Sequence, residues 1–555
     1  MGSIPARDFD VAVIGGGPAG MGAALAAHKT GANVVIIERN DHLGGILRQC
    51  IHPGFGLTHF KEELTGPEYA QRFIDQVAQT DIEVMLGSMV LSIDGTSEAP
   101  MPGTSGCEAP TCSSRNPREG DTRAGKPTCS VNAHGTTALD ATCAEADASE
   151  LMRTTGHTVR VMTESGMVDV RCRSVVLAMG CRERTRSEIK IPGSRPAGVF
   201  TAGLAQRYIN IENLRPGHRV VILGSGDIGL IMARRCALEG IEVEGVYELM
   251  PYANGLHRNV KNCLEDFDIP LHLSTTVTRV IGRNRVEGVE VTRVDENLAP
   301  IPGTERIVAC DTLLLSVGLI PENEIACAAG VELDPRTRGA RVDQDLQTNV
   351  PGIFSCGNVL HVHDLADNVT AEAERAGAAA AAWAAACAEA QGTNTDAEPC
   401  AIRVEQADRR ASTDSAPIEE QSRTASERAT TPTKHDELRS PLTVEAAGMA
   451  GYVVPARISA CTNTKLFFRV KRPVGTARIV ISSGDEVLFV GKPRSFKPSI
   501  MESVPLTRRM IERATGSITL SVDPVEEMQS MEKRTDMTSA EKADMSSANN
   551  TASVY

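Results

Sequence analysis

The sequence predicts an α/β protein of doubly wound parallel sheets, followed by a small β-rich block. Three observations predict it. Strand and helix signals alternate along the first two thirds of the chain, which calls for parallel strands joined by crossover helices. A strand, a glycine loop, an apolar helix and a second strand occur in that order twice, from Phe9 to Glu38 and from Arg219 to Glu248. Between about Tyr452 and Val522 the chain changes to short β-rich runs, KLFFRV, ARIVIS and EVLFVG.

Composition bounds the function. The 555 residues suffice for roughly three to four domains. Hydrophobic residues make up 41%, enough for real cores, while aromatics are only 3%, which suits closely packed helix-on-sheet layers better than an aromatic binding surface. A net charge of −14 argues against nucleic acid or an anionic membrane surface as the main partner. No apolar run approaches the ~20 residues of a spanning helix, so no integral membrane segment is expected. The N-terminal MGSIPARDFDVAVIGGG runs straight into a strand without a signal-like apolar region, and a cytoplasmic protein is expected. The fifteen cysteines are scattered without a C-x-x-C pair, which reads as reduced, mostly structural thiols.

The first repeat, VAVIGGGPAGMGAALAAHKTGANVVIIER, contains Gly15-x-Gly17-Pro18-Ala19-Gly20 after a strand at Phe9–Ile14, with Glu38 closing the next strand. Gly15 permits the turn, Gly17 lets backbone approach a pyrophosphate, and Gly20 lets helix and strand pack closely. The helix N-terminus offers free N–H groups and partial positive charge to phosphates, and Glu38 can accept hydrogen bonds from a ribose. With strand, loop, helix and acid all in place, this is a dinucleotide-binding signature. Next comes a polar stretch at 95–150, expected to be a flexible insertion because it cannot bury enough apolar area to offset ordering entropy. Its Cys107, Cys112, Cys129 and Cys143 lack metal-ligand spacing, and no metal is expected. The second repeat, RVVILGSGDIGLIMARRCALEGIEVEGVYE, carries Gly224, Gly226, Asp227, Ile228 and Gly229, with Glu248 as the acid. An acid there favours a free 2′-hydroxyl over a 2′-phosphate, and no arginine stands beside it in YELMPYANG, so NAD(H) is expected over NADP(H). A strand at about Thr312–Val317 and an Ala-rich helix from about Thr370 to Gln391 follow. A second polar stretch at 392–445, the β-rich block at 446–525 and a polar tail at 526–555 complete the chain.

Two such folds in one chain, with VVLAMGCRER at Val175–Arg184, LLLSVGLIPENE at Leu313–Glu324 and TNVPGIFSCGN at Thr348–Asn358, resemble the pyridine nucleotide–disulfide oxidoreductase superfamily. The resemblance implies two Rossmann-like folds. An FAD-binding fold would be assembled from 1–94, 151–215 and 331–391, with an NAD-binding fold at 216–330 inserted into it. It implies that Arg39, Gly44, Gly45, Ala178, Gly180, Gly357 and Asn358 join the first loop around FAD, and that Gly318 belongs to the NAD site. Asn358 stands where the family carries Asp, so a neutral carbonyl would accept the ribityl hydroxyl. The helix from about Thr370 would aim its positive end at the flavin.

The family's C-x-x-x-x-C pair is missing. GGILRQCIHPGFG carries Cys50 alone. One reading gives Cys50 a sulfenic-acid cycle, as in the superfamily's NADH oxidases and peroxidases, with Arg48 and His52 assisting. The other packs it as a structural thiol. His52 and His59 are candidate proton donors or loop residues, and His361, His363 and Asp364 are expected against the flavin rather than around a metal. GGILRQCIHPGFGLTHFKEELTGPEYAQRF and CGNVLHVHDLADNVTAEAERAG resemble the flavin-binding components that accompany a second flavoprotein, as in anaerobic glycerol-3-phosphate dehydrogenases and sarcosine, opine or glycine oxidases. That resemblance implies an FAD-dependent oxidoreductase in an oligomer or hetero-complex, passing electrons to a partner flavoprotein dehydrogenase, with an iron–sulfur protein as a further partner. A stand-alone NADH oxidase or peroxidase and a redox-silent structural component are the alternatives.

Overall fold

The computed structural model describes residues 4–95, 156–392 and 437–525. The stretch predicted as an insertion at 95–150, most of that at 392–445, the tail at 526–555 and the four cysteines Cys107, Cys112, Cys129 and Cys143 lie outside the described residues.

The first fold is centred on β1 (Ala6–Ile14), whose run Val11–Ile14 is completely apolar because both faces of a central parallel strand are covered. Helix α1 (Pro18–Lys29) returns the chain to β2 (Val34–Ile37), parallel to β1 with Val11 opposite Val34. On the other side of β1 lies β3 (Gly166–Leu177), also parallel, with Val11 opposite Ser174. The C-terminal half of β3 takes β4 (Ile353–Ser355) as a further parallel neighbour, so the end of the fold returns to the strand beside its beginning. Helix α2 (Ala366–Gly392) lies on α1, and a Cβ at Gly377 would fall 2.0 Å from the Ala23 carbonyl oxygen. Small residues on both helices permit this backbone contact, which accounts for their alanine and glycine content. The helix starts at Ala366, one turn before the expected Thr370, with Asp367 in its first turn.

The second fold is a five-stranded parallel sheet in the order Val199–Thr201, Thr312–Leu315, Arg219–Leu223, Glu242–Tyr247, Leu271–His272. Helix Asp227–Leu238 provides the crossover from Arg219–Leu223 to Glu242–Tyr247, and helix His257–Cys263 packs beside it. This sheet reaches back past the expected boundary at 216, because Val199–Thr201 pairs with Leu313–Leu315. Three antiparallel strands, Thr275–Gly282, Val286–Arg293 and Arg306–Ala309, form a separate small sheet.

The C-terminal β block begins at Glu437, nine residues ahead of the expected 446, since the strand Glu437–Gly448 runs parallel to Ile518–Pro524. Its own core contains Leu466, Phe468 and Phe496, while Val454 and Tyr452 pack into the core of the first fold. It is joined to that fold rather than hung from it.

Candidate cofactor sites

The residues of the first glycine loop do three different things. Gly15 has φ 109°, outside the range L side chains favour, and Gly20 lies so close beneath it that a Cβ would sit 1.7 Å from the Gly15 carbonyl oxygen. Gly17 is the opposite case, with nothing within 4 Å of its would-be Cβ. That open position is where a ligand's backbone approach has room. Gly17 is also the N-cap of α1, and neither a capping side chain nor a first-turn acid occupies the helix's free N–H groups. The positive end of α1 is therefore open to a phosphate.

Distant parts of the chain converge on this helix end. The Ala178 carbonyl oxygen lies 2.5 Å from a Cβ built at Gly15, a Cβ at Gly45 would fall 3.0 Å from the Gly17 Cα, and one at Gly357 would fall 2.9 Å from the Ala19 Cβ. Gly44 and Gly180 have φ of 108° and 74°, and Pro18 opens the helix. Glu38 is buried. Its Oε2 accepts the Gly16 N–H at 2.7 Å, and its Oε1 accepts Asn40 N and Nδ2 at 2.8 and 2.7 Å. Arg39 is exposed and reaches Glu322 at 3.8 Å. Asn358 Oδ1 accepts the His363 N–H at 3.0 Å, so one lone pair of the carbonyl offered to a ribityl hydroxyl is already engaged.

The second loop repeats the arrangement. Gly224 has φ 98°, and Gly229 approaches the Gly224 carbonyl oxygen with 2.6 Å to its would-be Cβ. Gly226 caps its helix without a capping side chain. Glu248 is buried, with Ser225 N and Oγ donating to Oε2 at 2.8 and 2.6 Å and Met250 N to Oε1 at 2.9 Å. Asp227 turns away from the loop and accepts Leu256 N and Asn259 Nδ2 through Oδ1. Ile228 packs into the core of the fold, so only its backbone faces the loop. Gly318 is exposed at the crossing between the folds, where its carbonyl accepts the Arg184 N–H at 3.0 Å.

Cys50 closes a short 3-10 turn, Gly45–Gln49. Its thiol faces the Ile46 carbonyl at 3.4 Å and Gln206 Oε1 at 3.8 Å. Burial pushes its pKa up to about 12. Nucleophilic and peroxidatic thiols need the opposite, a pKa near or below ambient pH. His52 is half-buried, its Nδ1 lies 3.1 Å from the Pro53 carbonyl, and burial leads the causes that lower its pKa. His59 sits among the rings of Phe60, Tyr69 and Phe73, edge-on to Phe60 and tilted to the others, a structural placement.

Two acids on α2 have no motif to announce them in the sequence. Asp367 accepts Gly56 N at 2.9 Å and both Thr58 N and Thr58 Oγ1 at 2.7 Å, fastening the loop that follows Cys50. Burial alone would raise its pKa, yet the hydrogen bonds from Thr58 and Gly56 hold it below the usual value. Glu372 is buried with His361 and His363. It accepts His361 Nε2 at 2.8 Å, His363 Nε2 at 3.1 Å and the Gly357 N–H at 2.7 Å. Glu372 thus completes the group that the sequence showed only as His361, His363 and Asp364. Asp364 leaves it to pair with Arg469 of the β block. The three side chains lie close enough to hold a metal. However, both Nδ1 atoms are buried without partners. Neutral rings with the proton on Nε2 leave only bare lone pairs there, whereas a cation on Nε2 would bury two unpaired N–H donors. The arrangement fits a hydrogen-bonded triad better than a metal centre.

Profiles of two families match this chain: pyridine nucleotide-disulphide oxidoreductase over residues 116–386, and FAD dependent oxidoreductase over residues 10–207. These matches support the pyridine nucleotide–disulfide oxidoreductase superfamily for this chain. An alkyl hydroperoxide reductase component of Staphylococcus aureus is 23% identical over 63% of this chain and 54% of its own length. An opine oxidase component of Agrobacterium tumefaciens is 24% identical over 63% of this chain and 61% of its own length. The chain thus spans little more than half the length of these curated relatives. A thioredoxin reductase structure from T. acidophilum matches 68% of this chain and 98% of its own at 21% identity, with a TM-score of 0.47. The uncapped end of α1, the open Gly17 and the buried Glu38 fit the FAD of this superfamily. No thiol other than Cys50 lies within the 3-10 turn and loop Gly45–Phe55.

Proposed function

We propose that this chain is an FAD-dependent NAD(H) oxidoreductase that moves hydride between NADH and FAD and exchanges electrons with a partner flavoprotein dehydrogenase, of the glycerol-3-phosphate-dehydrogenase-like kind. The observation that carries the reading is the pair of glycine loops, each closed by a buried glutamate, together with the lone, high-pKa Cys50. With a protonated thiol and no second one beside it, electrons need another exit than a disulfide or a sulfenic acid. The kinship with a component of an opine oxidase supports an exit through a partner protein.

FAD, when bound, supplies the two-electron chemistry and the step from hydride to electron transfer. The chain's task is holding and orientation. Gly17 and the N–H groups opening α1 would receive the pyrophosphate, Glu38 a ribose, and Gly45, Ala178, Gly180, Gly357 and Asn358 the remainder of the cofactor. Gly224, Gly226 and Gly229 would receive NADH. Glu248, already accepting three hydrogen bonds, retains lone-pair capacity for a 2′-hydroxyl and repels a 2′-phosphate. A cytoplasmic location and an oligomeric or hetero-complex assembly, with an iron–sulfur protein as a further partner, complete the proposal. Among the described residues no helix is long and apolar enough to cross a membrane.

The test is an anaerobic titration of the purified flavoprotein with NADH, then NADPH, followed by air. Stoichiometric bleaching by NADH, weaker response to NADPH and slow recovery in air are expected. Fast recovery with sustained NADH consumption would replace this reading with a stand-alone oxidase. A protein that FAD and NADH leave unchanged would make it a redox-silent structural component.

A further inference from the structure

A cleft of about 450 Å³ opens between the two nucleotide folds, a size suited to a small-molecule ligand. One wall is the loop Ile51–Phe55, with His52. The other is formed by the far half of helix Asp227–Leu238 and by helix His257–Cys263, which bring in Arg234, Arg235 and Arg258. Acids line this cleft as well as arginines. Asp227 is hydrogen-bonded by Leu256 N and Asn259 Nδ2, neutral donors that leave its charge in place, whereas Asp364 is paired with Arg469 and accepts the Met501 N–H. Glu63 stands exposed at the rim, where water screens it. On the basic side, Arg235 pairs with Glu239 at 2.6 Å. Arg234 lies over the Phe267 ring at 5.7 Å, and its Nε is buried without a hydrogen-bond partner. Arg258 is exposed and reaches across to Gly54, where a Cβ would meet its terminal nitrogen at 3.7 Å. Two guanidinium groups thus face one cavity without a carboxylate of their own, in a chain whose net charge is −14.

We propose that this cleft binds a small organic anion, a carboxylate or a phosphate ester, held by Arg234 and Arg258 opposite His52. Guanidinium groups present forked N–H donors that match both oxyanions, and two of them on one cavity can hold one anion between them. The cleft touches the glycine loop that would hold NADH only at Asp227, and its arginine end lies away from that loop. Arg234 and Leu238 lie two to three turns along their helix from Asp227, about 10–16 Å from its N-terminus at 1.5 Å per residue. The inference concerns charge in the cleft and does not depend on the direction or destination of electrons.

The test is calorimetric titration of the full-length, FAD-loaded protein with malonate and with inorganic phosphate at constant ionic strength. Saturable binding of one or both probes is expected, and the tighter one names the chemical class. Arg258→Gln and Arg234→Gln should each weaken that binding at least tenfold, while Arg258→Lys keeps a measurable part of it. Saturating ADP-ribose should leave the anion bound. Melting curves confirm that each variant is folded. The proposal is overturned if neither probe saturates, if both arginine-to-glutamine variants bind like the parent, or if ADP-ribose competes, which would put the anion in the nucleotide loop.

Discussion

Burial sets the proton of Cys50, with the pKa pushed up to about 12. At pH 8 such a thiol has roughly a thousandth of the thiolate fraction of an ordinary cysteine, and its alkylation slows in proportion. Iodoacetamide labelling followed by peptide mass spectrometry should find Cys50 among the slowest cysteines of the folded protein, and Cys50→Ala should be reduced by NADH at the parent rate. Labelling at the rate of a free cysteine would restore the oxidase reading. The absence of a second cysteine was readable in GGILRQC, but the state of the remaining one was not. Its pKa is set by burial, and Gln206, which its thiol faces, comes from far along the chain. Gly20 was readable because its backbone contact with Gly15 admits no side chain, and Gly17 because the space open over it suits a close-approaching ligand.

Helix α2 shows where sequence patterns stop being informative. Its alanines announce close packing on α1, and they do pack there. Asp367 and Glu372 announce nothing, because their partners Gly56 and Thr58 are some 310 residues distant and the histidines belong to another loop. These acids nevertheless fix the two loops that border the proposed flavin site. Replacing Glu372 by Gln exchanges an acceptor-only carboxylate for a group with one acceptor. One of the His361, His363 and Gly357 N–H donors then loses its partner, and the amide N–H₂ meets another donor. A buried unsatisfied group costs about 1–3 kcal/mol. Glu372→Gln should therefore melt a few degrees lower and lose FAD on gel filtration, read as a reduced ratio of flavin to protein absorbance. A variant with parent melting and full flavin would mean the triad holds nothing.

The β block and the first fold meet through a segment that carries an internal conflict. Val342 O accepts Ala456 N at 2.9 Å, and Asp343 accepts the Ser459 hydroxyl at 3.0 Å together with the N–H groups of Asp345 and Gln347. Gln344 adds a bond from Ser459 N at 2.8 Å. The geometry is a latch, yet burial and the neighbouring Asp345 raise the Asp343 pKa to about 6. An unfolded aspartate titrates near 3.9, so between about pH 4 and pH 6 the folded state binds the extra proton. Stability from this group is complete below pH 4 and is lost as pH rises through 6. At neutral pH the folded protein carries a penalty of about 2–3 kcal/mol at this carboxyl. Asp343→Asn keeps an acceptor for Asp345 and Gln347 and can donate to Ser459, so it removes the charge while preserving the latch. It should melt above the parent at pH 7.5, by about half as much at pH 5, and close to it below pH 4. Asp343→Leu, which strips the acceptors, should melt lower at both. An Asn variant that follows the parent at every pH would show that Asp343 titrates like an exposed carboxylate and carries no penalty in the latch.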